Sequence, residues 1–156
     1  MSTARRRSRE LALQGLYQWQ FTGVSAAQVL KNLAELEGFA KADGKFLEAE
    51  LRGAIKEAAS LRENLEPLAD RKWDEVSPVE RSILLIGAWE LMHCPEIPYR
   101  ATINEAIELG KRFGGTEGHR YVNGILDKLA KRVRPDEVAA RAGGPARGQD
   151  LTKGEA

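Results

Sequence analysis

The sequence predicts an all-α protein of six or seven helices, and two observations support this class. Apolar residues recur at helical spacing along most of the chain, and no segment shows the sustained alternation of a half-buried strand. Glycine and proline interrupt the periodic segments where helices are expected to end. With 156 residues, of which 42% are hydrophobic and 30% charged, the chain is long enough for one domain with a sizeable core.

The first half of the chain is predicted to form three helices. The first spans about 4–21, and the second, with Ser25 as its N-cap, ends before residue 38. The third runs from about 45 towards 65, where Pro67 interrupts it or starts a short segment after it.

The clearest helix start in the sequence is Ser77-Pro78-Val79-Glu80. Ser at the N-cap, Pro at the first helical position and Glu at the third form a capping box. The helix that follows, 79–93, is apolar around most of its circumference, which is typical of the buried centre of a helical bundle.

Two more helices complete the predicted domain, which spans 1–134. One covers about 101–112, and the other is capped by Thr116 and ends before Pro135. From that proline onward the composition changes to Gly, Ala, Arg and Pro, which predicts a flexible C-terminal tail over 135–156.

No motif for catalysis, metal binding or cofactor binding stands out. The two histidines, His93 and His119, and the single cysteine, Cys94, form no ligand or nucleophile pattern, so we expect no catalytic residue, no metal and no cofactor. One cysteine excludes an internal disulfide, and no apolar run is long enough for a membrane span or a signal peptide. The expected location is the cytoplasm.

Positive charge is concentrated in two segments that the total charge of +1 conceals. Residues 1–21 carry four Arg and one Glu, and residues 116–134 carry five basic and two acidic side chains. If the fold brings these segments together, they form a positive patch suited to nucleic acid.

The first segment combines the residue types that RNA-binding surfaces use. Guanidinium groups neutralise phosphates, Gln amides contact base edges, and a Tyr ring offers a stacking surface. The candidates are Arg5, Arg6, Arg7, Arg9, Gln14 and Tyr17. A terminal arginine cluster can equally be a solubilising end, and the second segment, with Arg120 and Tyr121, can be a solvated helix face.

Four blocks of the sequence resemble the NusB family of bacterial transcription antitermination factors, in the family's order and spacing. They are RRRSRELALQGLYQWQ at 5–20, VERSILLIGAWEL at 79–91, IPYRATINEAIELGKRFG at 97–114 and YVNGILDKL at 121–129. The resemblance extends over most of residues 3–134.

The resemblance implies two packed three-helix halves and binding to the boxA RNA element of ribosomal RNA transcripts. This binding would be made jointly with NusE, a small-subunit ribosomal protein, within an RNA polymerase antitermination complex. The family's RNA-binding positions fall on Arg5, Arg6, Arg7, Arg9, Tyr17, Glu117 and Tyr121, with Arg120 in the same segment, and Glu80 matches a position on the NusE-facing side.

Two other classes of protein stay open. A similar helical module precedes the catalytic domain of some ribosomal RNA cytosine methyltransferases, but that class needs a cofactor domain after residue 156. A self-associating helical protein with solubilising basic segments is the second alternative. The sequence is compatible with a monomer and with a homodimer.

Overall fold

The computed structural model describes residues 3–142, which fold into eight α-helices and three single-turn 3-10 helices. The all-α class is confirmed, with one α-helix more than the upper expectation. No helix of the described part is long and apolar enough to cross a membrane. The α-helices are α1 Thr3–Thr22, α2 Ala26–Leu33, α3 Gly44–Lys56, α4 Ala58–Leu65, α5 Pro78–His93, α6 Tyr99–Phe113, α7 Gly118–Val133 and α8 Pro135–Ala142.

The helices form two packed groups of three that share one core. In the first group α1, α2 and α3 pack against each other, and in the second α5, α6 and α7 do. Helix α5 joins the groups because α1, α3 and α4 also pack against it. Its run Ser82–Ala88 is buried on every side, as its apolar circumference predicts.

Two of the three predicted N-caps are confirmed. The side chains of Ser25 and Ser77 accept hydrogen bonds from the backbone N–H groups of Gln28 and Glu80. Thr116 is not a cap, because α7 begins two residues later with Glu117 as its N-cap residue.

The predicted helix 45–65 is two helices that meet at Glu57. Helix α4 buries Leu61 and Leu65. Helices α6 and α7 pack closely at Gly110 of α6. A Cβ at this position would lie only 2.8 Å from the Cα of His119, which is too close for a side chain.

The segment expected to be a tail begins with an ordered helix, α8. The guanidinium of Arg134, 9% exposed, donates to the backbone oxygens of Glu90, Leu91, Cys94 and Ile97 at the end of α5. It also pairs with Glu137 of α8, whose other oxygen accepts from the backbone N–H of Tyr99. These contacts fasten α8 to the domain, and residues 143–156 of the expected tail lie outside the described part.

A buried ion pair connects the two groups of helices. Arg9 of α1 donates from Nε and Nη2 to the two carboxylate oxygens of Glu90 of α5, both at 2.8 Å, and both side chains are almost fully buried. Thr102 of α6 donates to the same carboxylate at 3.0 Å. Arg9 Nη1 makes no hydrogen bond, but it lies 4.0 Å from a carboxylate oxygen of Glu105.

Glu50 of α3 adds a second carboxyl group to this cluster. Burial, and then the neighbouring charge of Glu90, raise the pKa of Glu50 well above its usual range. Burial alone would also raise the pKa of Glu90, but hydrogen bonds from Glu50 and Arg9 outweigh it and lower that pKa. In the described residues no donor reaches either carboxylate oxygen of Glu50, and its raised pKa favours the protonated form beside Glu90.

Replacing Arg9 by Met should remove much of the stability of the fold. Glu90 would keep a buried charge without its cation, and breaking such a pair costs about 3–5 kcal/mol. Urea unfolding followed by circular dichroism measures the loss. Arg52→Met, at the exposed ion pair with Glu48, should cost less than about 1 kcal/mol. Equal losses for the two variants would contradict the structural role of Arg9.

Replacing Glu50 by Gln should stabilise the protein at neutral pH. A carboxyl whose pKa is raised by folding contributes stability below its unfolded pKa, about 4.3, that is lost as pH rises towards the folded value. The Gln amide donates to Glu90 at every pH. The gain over the parent should therefore grow from pH 4 to pH 8 in thermal unfolding. Glu48→Gln, on the exposed side of α3, is the control and should show no such trend.

Candidate RNA-binding surface

Three arginines in the first two turns of α1 form a partly exposed edge, here called the arginine edge (Arg5, Arg6 and Arg7). Each is held by a carboxylate. Arg5 lies 3.7 Å from Asp43, Arg6 makes two hydrogen bonds to Glu105, and Arg7 donates to Glu10 at 3.0 Å. The arginines therefore project from an ordered helix.

Arg9 does not belong to this edge, which corrects its assignment as an RNA contact. Its side chain is 1% exposed and forms an ion pair with Glu90. Because helix positions four apart share a face, Arg5 and Arg9 both lie over the ring of Phe46, at 4.5 and 5.0 Å from its centroid. Arg5 is the partly exposed member of this pair and Arg9 the buried one.

Beyond the arginine edge, exposed apolar side chains line a shallow groove, here called the aromatic groove. Tyr17 is 43% exposed and Phe113 is 37% exposed, which is high for rings of this size. Phe21, 64% exposed, extends the apolar surface, with its ring centroid 5.1 Å from that of Tyr17. The lining residues are Leu13, Gln14, Tyr17, Val79 and Phe113.

Glu10 and Arg112 connect the arginine edge to the aromatic groove. The carboxylate of Glu10 accepts from Arg7 through one oxygen and from Arg112 through the other. The Arg112 guanidinium in turn lies over the ring of Phe113, at 5.1 Å from its centroid. The two surfaces are therefore continuous along the seam between α1 and α6.

Glu80, which matches the family's position on the NusE-facing side, is largely buried. It is 9% exposed, and its carboxylate lies so close to Gly118 that a Cβ there would be 2.7 Å from Oε2. Val79, its neighbour in the first turn of α5, lines the aromatic groove. Glu80 thus lies between the groove and the start of α7.

The candidate residues at the start of α7 face different surroundings. Glu117 and Arg120 are both exposed and pair with each other at 3.3 Å. Tyr121 is half-buried, with the guanidinium of Arg71 over its ring at 4.1 Å, and burial raises the pKa of its hydroxyl. One face of the Tyr121 ring is therefore already covered. Helices α1 and α7 both pack against α5, but their starts lie at opposite ends of it. Arg9 of α1 binds Glu90 near the end of α5, whereas Gly118 of α7 lies against Glu80 at its start.

Sequence reasoning missed Val79, Arg112 and Phe113. Phe113 is the last residue of α6, directly before Gly114, and an aromatic at an exposed helix end was the available signal. Val79 and Arg112 were predicted only as the first and last residues of the helices 79–93 and 101–112.

A cationic edge continuous with an exposed aromatic groove is the kind of surface that binds macromolecules, nucleic acid on the charged part and protein on the apolar part. In the described residues, no group of three or more His, Cys, Asp or Glu side chains is placed to hold a metal ion.

Comparison with known proteins identifies the family. The NusB family matches residues 6–131, and the chain belongs to this family of transcription antitermination proteins. The transcription antitermination protein NusB of Cupriavidus pinatubonensis is 56% identical over 139 residues, which cover 89% of this chain and 83% of that protein.

Two solved structures share the fold. NusB from T. maritima superimposes with a TM-score of 0.78 at 28% identity, covering 89% of this chain and 99% of that one. The NusB of a crystal structure of NusB and NusE in complex with double-stranded RNA has a TM-score of 0.74 at 20% identity, covering 85% and 99% of the two chains. The expected pair of three-helix halves is confirmed.

Proposed function

We propose that this protein is a cytoplasmic, non-enzymatic transcription antitermination factor. It binds the boxA element of ribosomal RNA transcripts together with NusE, within an antitermination complex of RNA polymerase. Family membership supports the general role, and the solved complex of a related NusB with NusE and RNA supports the two kinds of partner. The observation that carries the proposal is the continuity of the arginine edge with the aromatic groove.

RNA binds at the arginine edge. Arg5, Arg6 and Arg7 project from one short stretch of ordered helix, so a single strand that crosses α1 can place successive phosphates against them. Gln14 and Tyr17, two and three turns further on, offer an amide and an exposed ring to bases. Glu117, Arg120 and Tyr121 are a second, weaker contribution, because Glu117 offsets the charge of Arg120.

NusE binds at the aromatic groove. Exposed aromatic side chains are enriched at protein interfaces, and here they surround an apolar floor of Leu13 and Val79. Glu80 contributes by holding the start of α7 beside this surface. Tyr17 lines the groove while sharing its helix with the arginine edge, so we place the meeting point of RNA and NusE there.

Replacing Arg5, Arg6 and Arg7 together by Ala, with Arg9 kept, should weaken binding of boxA RNA and flatten its salt dependence. Fewer counterions are released, and three lost phosphate contacts reduce the logarithmic salt slope by about 2. Fluorescence anisotropy at several salt concentrations measures both quantities. The matched control replaces Arg52, Lys56 and Arg62 by Ala. This control removes the same positive charge from the exposed faces of α3 and α4. If both triple variants bind RNA alike, the arginine edge is not the RNA site.

Replacing Phe113 by Ala should weaken NusE binding about tenfold, the loss typical of an aromatic anchor, without weakening RNA binding in the absence of NusE. In the parent protein, RNA and NusE should tighten each other's binding by the same factor, because linkage is reciprocal. Calorimetry with and without the other ligand measures this factor. Leu36→Ala, a similarly exposed apolar residue outside the groove, is the control. If Phe113→Ala leaves the affinity for NusE unchanged, NusE binds elsewhere on the protein. If the parent protein forms a concentration-dependent dimer and Phe113→Ala abolishes it, the groove binds a second copy of this chain instead.

A further inference from the structure

The contact between Arg6 and Glu105 joins an exposed side chain to a buried one. The Arg6 side chain is 52% exposed, whereas that of Glu105 is 7% exposed. Nε and Nη2 of Arg6 donate to the two carboxylate oxygens of Glu105 at 3.1 and 2.8 Å. The guanidinium is therefore fixed along one edge by a group that belongs to the protein interior.

We propose that Glu105 is a positioning residue for RNA binding, which holds the Arg6 guanidinium with its outer edge directed at an RNA phosphate. This inference rests on the proposed function, since it assigns a role to Arg6 in contacting RNA. Glu105 itself does not touch the RNA.

The hydrogen-bonding capacity of Arg6 leaves room for a phosphate. A guanidinium has five N–H groups, and Glu105 occupies the one on Nε and one on Nη2. The two on Nη1 and the second on Nη2 remain, and adjacent N–H groups of this kind bind phosphate oxygens in pairs. Glu105 and a phosphate can therefore bind two adjacent edges of the same guanidinium at once.

On its inner side Glu105 lies near the buried ion pair of Arg9 and Glu90. Its Oε1 lies 4.0 Å from Nη1 of Arg9, which is itself fixed by the buried Glu90. A chain of charges thus runs from Glu90 through Arg9 and Glu105 to Arg6, and it ties an exposed arginine to the core. Without Glu105, Arg6 would sample many rotamers in solvent, and RNA would have to order it on binding.

Electrostatics alone predicts the opposite effect of Glu105, and this difference in sign makes the proposal testable. Removing a carboxylate near a phosphate site raises the local positive charge and should tighten RNA binding. Removing a positioning group should weaken it. Glu108 provides the matched control, since it lines the same cleft between α1 and α6 but pairs with Lys111.

The test compares binding of boxA RNA to the parent protein, Glu105→Ala and Glu108→Ala by anisotropy at two salt concentrations. We expect Glu105→Ala to weaken binding at least threefold despite its added positive charge, and Glu108→Ala to leave it unchanged or tighter. Tighter or unchanged binding by Glu105→Ala overturns the proposal. Thermal unfolding checks the fold, and if the Ala variant unfolds, Glu105→Gln replaces it. The Gln oxygen can hold Arg6 without a charge, so weaker binding by a smaller factor is expected, and tighter binding contradicts positioning.

A double-mutant cycle separates this inference from the proposed function. In an Arg6→Ala background, Glu105→Ala should no longer weaken RNA binding, because the side chain it positions is absent. The same weakening in both backgrounds assigns Glu105 a general structural role and overturns the proposal. If Arg6→Ala alone leaves RNA binding unchanged, the assignment of RNA to this arginine fails. If Arg6→Ala weakens binding and Glu105→Ala does not, only the positioning role fails.

Discussion

The buried pair of Arg9 and Glu90 is the constraint on which the rest of the structure depends. Two charges removed from water need a close geometry and further hydrogen bonds, and the pair obtains one from Thr102 of α6. The buried carboxyl of Glu50 of α3, whose pKa is raised, also belongs to this cluster. Four helices from both halves must therefore meet in one register. With Arg9 directed inward, the helical rotation of α1 sends Arg6 towards α6 and leaves Arg5 beside Phe46 at the surface. The position of the arginine edge follows from a contact inside the core.

Helical periodicity and the Ser77 cap were sufficient to predict α1, α2, α5, α6 and α7 and the central place of α5, because these features depend on neighbours in sequence. The roles of individual arginines depend on distant partners, and four Arg within residues 5–9 do not indicate which one is buried. The informative residue was Glu90, 81 positions from Arg9. A carboxylate in the apolar part of a helix favours a buried cation as its partner, and that preference could have been recognised from the sequence. The aromatic groove could not, since three separate helices build it.

The expected flexible tail differs from the structure over residues 135–142, which form α8. Pro135 was taken as the end of a helix, yet proline is also favourable at the first position of a new one. Asp136 and Glu137 in the first turn are a further start signal, because carboxylates there interact favourably with the helix dipole. Tertiary contacts hold α8 against the domain. Arg134 donates hydrogen bonds to four carbonyl oxygens in and after the last turn of α5, and it also pairs with Glu137. Arg134, which the sequence analysis counted in the basic segment 116–134, is therefore a buried residue that caps the end of α5.

The seam between α1 and α6 gives a physical basis for coupling between the two proposed ligands. Glu10 is 6% exposed and accepts from Arg7 on one side and Arg112 on the other. A phosphate that attracts Arg7 towards solvent would weaken the hydrogen bond from Arg7 to Glu10. The carboxylate of Glu10 would then bind Arg112 alone. Arg112 lies over Phe113, so the order of one wall of the aromatic groove depends on the same carboxylate. Because a coupling free energy acts equally in both directions, a partner that fixes Phe113 and Arg112 would in turn favour the conformation of Arg7 that receives RNA.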